Sequence, residues 1–168
     1  METKSLIPLP NLEGVLRQYA GEVRELYRQH LIEADRLASE TLLNSVTTEV
    51  TTDEGTYLVT MTLADYWKFV EYDTAPHWPP PSSLLQWIKV KPVLPRPDKK
   101  GRLPKPEQLA YLIGRKIARE GTKGSHDVAL TVAECNRKFE PLIAEALAAD
   151  LGAGMHAWIL EAMSHYRK

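Results

Sequence analysis

From Leu12 onward, apolar residues recur in steps of three and four: Leu12, Val15, Leu16, Tyr19, Val23, Leu26, Tyr27, His30, Ala34 and Leu37. Glu13, Arg17, Glu22, Arg24 and Glu33 fall elsewhere around the same wheel, so the pattern predicts an amphipathic helix. Asn11 is placed to cap it, and the spacing carries on to about Asn44. A helix over 11–44 spans roughly 50 Å at 1.5 Å per residue. That exceeds what a compact 19.0 kDa body needs, so part of it is expected to pack on a partner.

The period changes over 46–63. Val46-Thr-Thr-Glu-Val-Thr-Thr and Thr56-Tyr-Leu-Val-Thr-Met-Thr-Leu are rich in β-branched residues and flank Asp53-Glu54-Gly55, which predicts a hairpin. Tyr57, Val59 and Met61 share one face of its second strand. A lone hairpin is marginal in water, so this one must pack on helices or join strands of neighbouring subunits. Residues 64–91 read as an aromatic turn, Asp65-Tyr66-Trp67-Lys68-Phe69-Val70, followed by a short helix capped by Ser82 or Ser83. Residues 92–105 form a Pro-rich basic loop, and a helix over 106–121 opens with Pro106 and stops at Gly121. Its apolar face is Leu109, Leu112, Ile113 and Ile117. The segment 125–168 reads as helical, begun by Ser125 and interrupted at Pro141 and at Gly152/Gly154, with Val128-Ala-Leu-Thr-Val as a possible strand. The expected class is α+β, mostly α, in a single domain over 1–168.

Charge alters this picture more than composition does. Residues 89–123 hold eleven Lys and Arg against three Asp and Glu, a net +8, while the remainder has ten against nineteen, a net −9. A chain with formal charge −1 is therefore strongly dipolar along its length. Nine of its 12 prolines lie between Pro76 and Pro106, which marks a stiff, extended connector. One cysteine, Cys135, rules out an internal disulfide and a multi-thiolate metal site. With no long apolar run and no apolar core after Met1, neither a membrane span nor a signal peptide is expected.

The candidate chemistry is thin. Cys135 with His126 or His156 would make a thiolate nucleophile, but nothing around Ala133-Glu-Cys-Asn-Arg resembles a nucleophile turn. A buried small hydrophobe is the preferred reading. His126-Asp127 lacks further ligands at metal spacing. Gly121-Thr-Lys-Gly124 has neither the leading glycine nor the preceding strand of a phosphate-binding loop, and a helix C-cap accounts for Gly121. Pro92-x-x-Pro95-x-Pro97 fits a polyproline ligand, though a rigid connector explains it more simply. Glu71 and Asp73 read as turn and salt-bridge residues rather than a glycosidase pair. No catalytic residue, cofactor or metal is expected.

Three stretches carry a family resemblance. They are Leu63-Ala-Asp-Tyr-Trp-Lys-Phe-Val-Glu-Tyr72, Trp87-Ile-Lys-Val-Lys-Pro-Val-Leu-Pro-Arg-Pro97, and Gly101-Arg-Leu-Pro-Lys-Pro-Glu-Gln-Leu-Ala-Tyr-Leu-Ile-Gly-Arg-Lys-Ile117. Together they resemble the tail-completion, or neck, family of long-tailed bacteriophages, in versions from phages and prophages of Bacteroides-like gut hosts. The order is similar too: a long helix, a hairpin, an aromatic "Tyr-Trp-x-x-Val-Glu" turn, a Pro-rich basic loop and a helix ending in "Arg-Lys-Ile…Glu-Gly-Thr". The likeness is strongest over 38–124. Asp73 stands where the family usually has glycine, and Thr74-Ala-Pro-His77 replaces a Lys-Pro-Gly-like turn.

The resemblance implies a structural virion protein and no enzyme. Family members form a ring between the portal-connector assembly and the tail tube, which they complete or join to the head. The implied partners are copies of this chain, the portal-connector and tail-tube proteins, and DNA only in passage through the lumen, without a membrane. The implied locations are the virion neck and the host cytoplasm during assembly. Tyr66, Trp67, Trp78 and Trp87, with Lys89, Lys91, Arg96, Lys99, Lys100, Arg102, Arg115 and Arg119, are the expected docking residues. Two other classes stay open: a DNA-binding accessory protein using 89–123, and a small hydrolase using Cys135 or His77.

Overall fold

A computed structural model describes residues 8–33, 40–53, 55–91, 93, 95–97 and 99–165 of the chain. The elements in order are α1 (Pro10–Glu33), α2 (Thr41–Ser45), β1 (Thr47–Asp53), β2 (Thr56–Thr62), α3 (Trp67–Glu71), α4 (Pro81–Val90), α5 (Pro106–Glu120) and α6 (Asp127–His165). The class is α+β, mostly α. The chain forms two compact units, each assembled from separated stretches: unit 1 from 1–27, 47–62 and 129–168, and unit 2 from 28–46 and 63–128.

Unit 1 is organised by α1 and α6. On α6, Thr131, Cys135, Phe139, Ala146 and Asp150 are buried, at steps of four and seven along one helical face. Leu12, Ala20, Val23 and Tyr27 are buried on α1. Tyr19 meets Phe139 edge to face at 5.5 Å, and its hydroxyl donates to Asn136 Oδ1 at 2.8 Å. Lys138 is paired with Glu22. With Asn11 and Leu12 held to Asp150, these pairs run in opposite sequence directions, so the two helices are antiparallel. Burying each large apolar side chain contributes about 1.5–3 kcal/mol.

Asp150 does more than fill space. The first turn of α1 has amides with no partner inside the helix. Asp150 Oδ1 accepts from the Asn11 N–H at 3.2 Å and from Asn11 Nδ2 at 2.6 Å, and Oδ2 accepts from the Leu12 N–H at 2.9 Å. A carboxylate 138 residues away in sequence thus caps the helix. Burial pushes the Asp150 carboxyl up, but the Leu12 and Asn11 donors outweigh it and hold the group below its ordinary value.

The hairpin forms over the residues expected for it. Thr48 faces Met61, Val50 faces Val59 and Thr52 faces Tyr57 across an antiparallel pair. Thr48, Val50, Tyr57, Val59 and Met61 are half-buried, while Leu58 and Thr60 are exposed. A groove of about 390 Å³ is lined by Ala20 and Gly21 of α1 and by Thr48 and Val50 of β1.

Two local expectations are corrected. The first is the unbroken helix over 11–44, in place of which stand α1 and the separate α2, with 34–39 outside the described residues. Arg28 Nη1 donates to the Leu43 carbonyl at 3.0 Å. In a continuous helix those residues would lie about 22 Å apart, so the chain has turned back. Leu31 on one side and Leu42 and Val46 on the other are all buried in unit 2, so apolar positions recur before and after 34–39. The second correction is the interrupted C-terminal segment. α6 runs through Pro141, Gly152 and Gly154, and Val128–Val132 is helical rather than a strand. An interior proline costs about 3 kcal/mol. Here Pro141 is exposed between buried Phe139 and Ala146, so the packed face continues on both sides of the missing N–H.

Unit 2 is closed by a clasp between the loop after α3 and the loop before α6. The Thr74 N–H donates to the Thr122 carbonyl at 2.9 Å, and the Thr122 N–H donates to Thr74 Oγ1 at 3.1 Å. The two threonine hydroxyls are 2.7 Å apart. Gly124 N–H donates to Asp73 Oδ1 at 2.8 Å, Ser125 N–H to the Val70 carbonyl at 2.8 Å, and His126 N–H to the Glu71 carbonyl at 3.1 Å. Glu71 is 2% exposed, and its Oε2 accepts the Val128 N–H at 2.9 Å. It therefore caps α6 from 57 residues upstream, a role the sequence assigned to Ser125, whose hydroxyl accepts from Asp127 N–H at 3.4 Å.

Glycine is required twice in the clasp. Gly121 ends α5 at φ 72°, and a Cβ there would lie 2.0 Å from the Thr74 carbonyl oxygen. A Cβ on Gly124 would lie 2.2 Å from the Glu71 carbonyl oxygen. The expected cost of Gly124→Ala or Gly121→Ala is at least about 2 kcal/mol, lowering Tm by roughly 5 °C or more. Gly14→Ala in α1, with open space around the new methyl, is expected to stabilise by about 0.5–1 kcal/mol. Thermal denaturation followed by circular dichroism separates the two outcomes, and equal effects at all three sites would contradict the clasp.

Asp150 also sets a pH dependence. Because its folded pKa is lowered, the stability it contributes is complete above the unfolded value of about 3.9 and is lost as pH falls through the folded value. Asp150→Asn is expected to melt below the native protein at pH 7, with the gap narrowing as pH falls below about 4. A gap independent of pH would show that the carboxylate charge is not what caps α1.

Candidate docking surfaces

The clasp positions the aromatic turn. α3 starts after Tyr66, which is 38% exposed, and half-buried Trp67 packs against Tyr72 at 5.9 Å between ring centres. Phe69, on the opposite side of this single turn, is 72% exposed. The chain then passes through Ala75–Pro80 to α4. No side chain caps α4; Pro81 occupies its first turn, one residue ahead of the serines expected to begin it. A proline fits there because that N–H has no intrahelical partner to lose.

α4 packs on α5 through small residues. Ala110 and Gly114, four apart, are buried, and the side chains of Leu84 and Trp78 lie over Gly114. Leu109, Ile113 and Ile117 are half-buried as expected, but Leu112 is 46% exposed and Tyr111 57%. The sequence put Leu112 on the inward face because its period matched. The Ala110/Gly114 spacing is the signal that α4 approaches one residue round the wheel. Trp78 is half-exposed and meets Tyr111 at 5.7 Å, and an apolar pocket of about 260 Å³ lies beside them, walled by Pro79, Leu84 and Ala110.

The cations lie in and around the Pro-rich loop. Lys89 is exposed on α4, with half-buried Lys91 just beyond its end. Arg96, Lys99, Lys100 and Arg102 are exposed in a segment without helix or strand among its described residues. Pro92, Leu94 and Asp98 lie outside the described residues. Arg115 and Arg119 are exposed on α5, and Arg119 is paired with Glu120 at 2.5 Å. That bond holds the Glu120 carboxyl below its ordinary value. Arg96, Arg102, Leu103, Lys105, Tyr111 and Leu112 border a groove of about 870 Å³ between this loop and α5. The structure thus brings Arg96 and Arg102 together, whereas Trp87 lies half-buried within α4 and Trp67 belongs to the turn.

Several of the residues weighed for catalysis have partners within the scaffold. Asp73 accepts from Gly124 and stands 3.7 Å from His126 Nε2, while Glu71 caps α6. The amides of Thr122 and Gly124 are spent on Thr74 and Asp73, so Gly121–Gly124 offers no such pair of donors to a phosphate. His77 is exposed, and its Nδ1 lies 2.9 Å from the Ala75 carbonyl oxygen. Among the described residues no group of three His, Cys, Asp or Glu side chains is gathered as a metal site. No helix of the described residues is long and apolar enough to cross a membrane.

Net charge divides with the fold. Unit 2 holds fourteen Lys and Arg against ten Asp and Glu, and unit 1 holds seven against twelve. The dipole seen along the sequence is therefore a difference between two packed bodies.

Compared with known proteins, the chain matches no family model, no curated protein and no solved structure.

Cys135 gives a direct test of the thiol reading. It is 1% exposed in the α1/α6 core, and burial first, then Glu22 and Glu134, push its thiol above the ordinary range. A disulfide reagent such as DTNB at pH 8 is expected to leave the native protein unlabelled for at least an hour, on the scale of global opening, and to react within seconds in denaturant. Rapid labelling of the native protein would restore the nucleophile.

Proposed function

We propose that this chain is a structural subunit of the neck of a long-tailed bacteriophage, completing the tail and joining it to the head as one member of a ring. The observation that carries this reading is the clasp. The Val-Glu turn and the Glu-Gly-Thr helix end, through which the sequence resembles the tail-completion family, are the two sides of a single hydrogen-bonded junction. Residues that match a family and meet as scaffold support kinship in architecture rather than in a reaction.

The exposed surfaces agree with an assembling protein. Trp78, Tyr111 and Leu103 lie beside one another at α5, Phe69 stands out on α3, and each leaves half or more of its area open, as residues of contact surfaces do. The opposite net charges of the two units favour contacts between copies, because each copy presents both signs. A DNA-binding accessory role is the second reading, favoured by exposed Lys89, Lys99, Arg115 and Lys116.

Electron microscopy of lysates from a phage deleted for this gene decides between them. Filled heads lying apart from separate tails are the expected result. Normal infectious virions would overturn the neck role. Tight duplex binding by the isolated protein at physiological salt, falling steeply with added salt, would favour the DNA-binding reading.

A further inference from the structure

The hairpin carries a strand edge with no partner among the described residues. β1 and β2 form a sheet of two strands, so one side of each strand points away from the ladder. Beyond their bonds to β1, residues Thr56–Thr62 make no hydrogen bond, ion pair or ring contact among the described residues. The outward amides and carbonyls of β2 are left to water or to an extended strand, the one element that satisfies them in a row.

Folded proteins block such edges with Lys, Pro, a bulge or a very short strand. β2 has none of these. Its sequence, Thr56-Tyr-Leu-Val-Thr-Met-Thr62, holds no charge and no proline. Its seven residues pair one to one with β1, without a bulge. The other strand differs. β1 carries Glu49 and Asp53, and the groove against Arg17, Ala20 and Gly21 of α1 lies beside its Thr48–Val50 stretch.

The free strand is also complementary to itself. In an antiparallel pair centred on Val59, Val59 faces its own copy, Tyr57 faces Met61, Leu58 faces Thr60 and Thr56 faces Thr62. This register keeps every side chain on its own face. Half-buried Tyr57, Val59 and Met61 of two copies then meet in one apolar strip, and exposed Thr56, Leu58, Thr60 and Thr62 in a Thr-rich one. No like charges come opposite one another, and β-branched and Thr–Thr pairs of this kind stabilise sheets. The same pairing at β1, centred on Val50, would gather Glu49 and Asp53 of both copies on one face.

We infer that β2 of one copy pairs with β2 of a second, antiparallel about a twofold axis at Val59, making a four-stranded sheet ordered β1-β2-β2-β1. Three or more strands with an apolar face are stable where a lone hairpin is marginal. The contact is isologous and closes at two copies, so a ring needs further contacts. The inference goes beyond the neck reading and does not rest on it.

Sedimentation velocity of the full chain over a range of concentrations is expected to show monomer passing to dimer. Two double variants then read the register. With Leu58→Lys and Thr60→Lys, both pairs flanking the axis become Lys against Lys, and dimerisation is expected to weaken at least about tenfold. With Leu58→Glu and Thr60→Lys, both become Glu against Lys, and the dimer is expected to hold within about threefold of the wild type. Inside the hairpin, both variants place the new lysine at 60 opposite Glu49 and the new residue at 58 opposite Thr51, so neither opposes like charges in the ladder. Circular dichroism melts verify that each variant folds.

Val59→Cys supplies a readout independent of charge. Mild oxidation is expected to link two chains at position 59, because directly opposite Cα atoms lie about 4.5–5.5 Å apart, within disulfide reach. The native Cys135 is buried.

A wild type that stays monomeric at every concentration overturns the inference. So do double variants that behave alike, whether both dimerise or both dissociate, and so does an absent cross-link at 59. These results leave the phage deletion phenotype untouched, so failure of this contact and failure of the neck role are told apart.

Discussion

Unit 2 depends on the buried carboxylate of Glu71 and the loop around it. A buried polar group left without a hydrogen bond is costly, and Glu71 Oε2 accepts the Val128 amide at the start of α6. The same loop supplies the Val70 and Glu71 carbonyls, the Asp73 carboxylate and the Thr74 hydroxyl to amides between Thr122 and His126. Each of these partners is some fifty residues away along the chain. Their meeting sets where α5 ends and where α6 begins, and the α4–α5 surface is built between those limits.

The close approach explains the glycines better than chain flexibility would. Both Gly121 and Gly124 sit where a carbonyl oxygen from the opposing loop occupies the space a Cβ would need. A Gly-Thr-Lys-Gly segment can look like an anion cradle because such cradles also need backbone without side chains. Here the cradled groups are this chain's own oxygens. The proposed neck role therefore draws its support from a scaffold junction, with the docking chemistry displaced to the aromatic and basic surfaces the junction positions.

Unit 1 shows the same economy in a different form. Asp150 caps α1 across a helix pair, and one stripe of α6 from Thr131 to Asp150 supplies most of the packing. Beyond Asp150 the stripe continues in composition but loses its cover, since Leu151, Met155 and Trp158 are exposed. The change from covered to open apolar surface thus falls within one helix, at Asp150.

Much of the architecture was legible from local pattern. The period of two over 46–63 marked the hairpin and its half-buried face, and Pro106 and Gly121 bracketed α5, because strand alternation and backbone restrictions at helix ends are written in neighbouring residues. The uneven charge was legible too, as was the exposed placement of Arg96, Lys99 and Lys100 in a Pro-rich loop. Local pattern misled where packing outweighed propensity: Pro141 did not break α6, and the period from Leu31 to Leu42 hid a reversal held by Arg28. It was silent on Glu71 and Asp150 as caps, because a carboxylate's partner fifty or more residues away leaves no mark on its neighbours. Sequence by itself determined the elements, their order and the separation of charge. Only the tertiary structure decided which carboxylates close helix ends, which side of α5 faces α4, and which apolar residues remain open, because each depends on backbone and side chains from distant stretches arriving at one place.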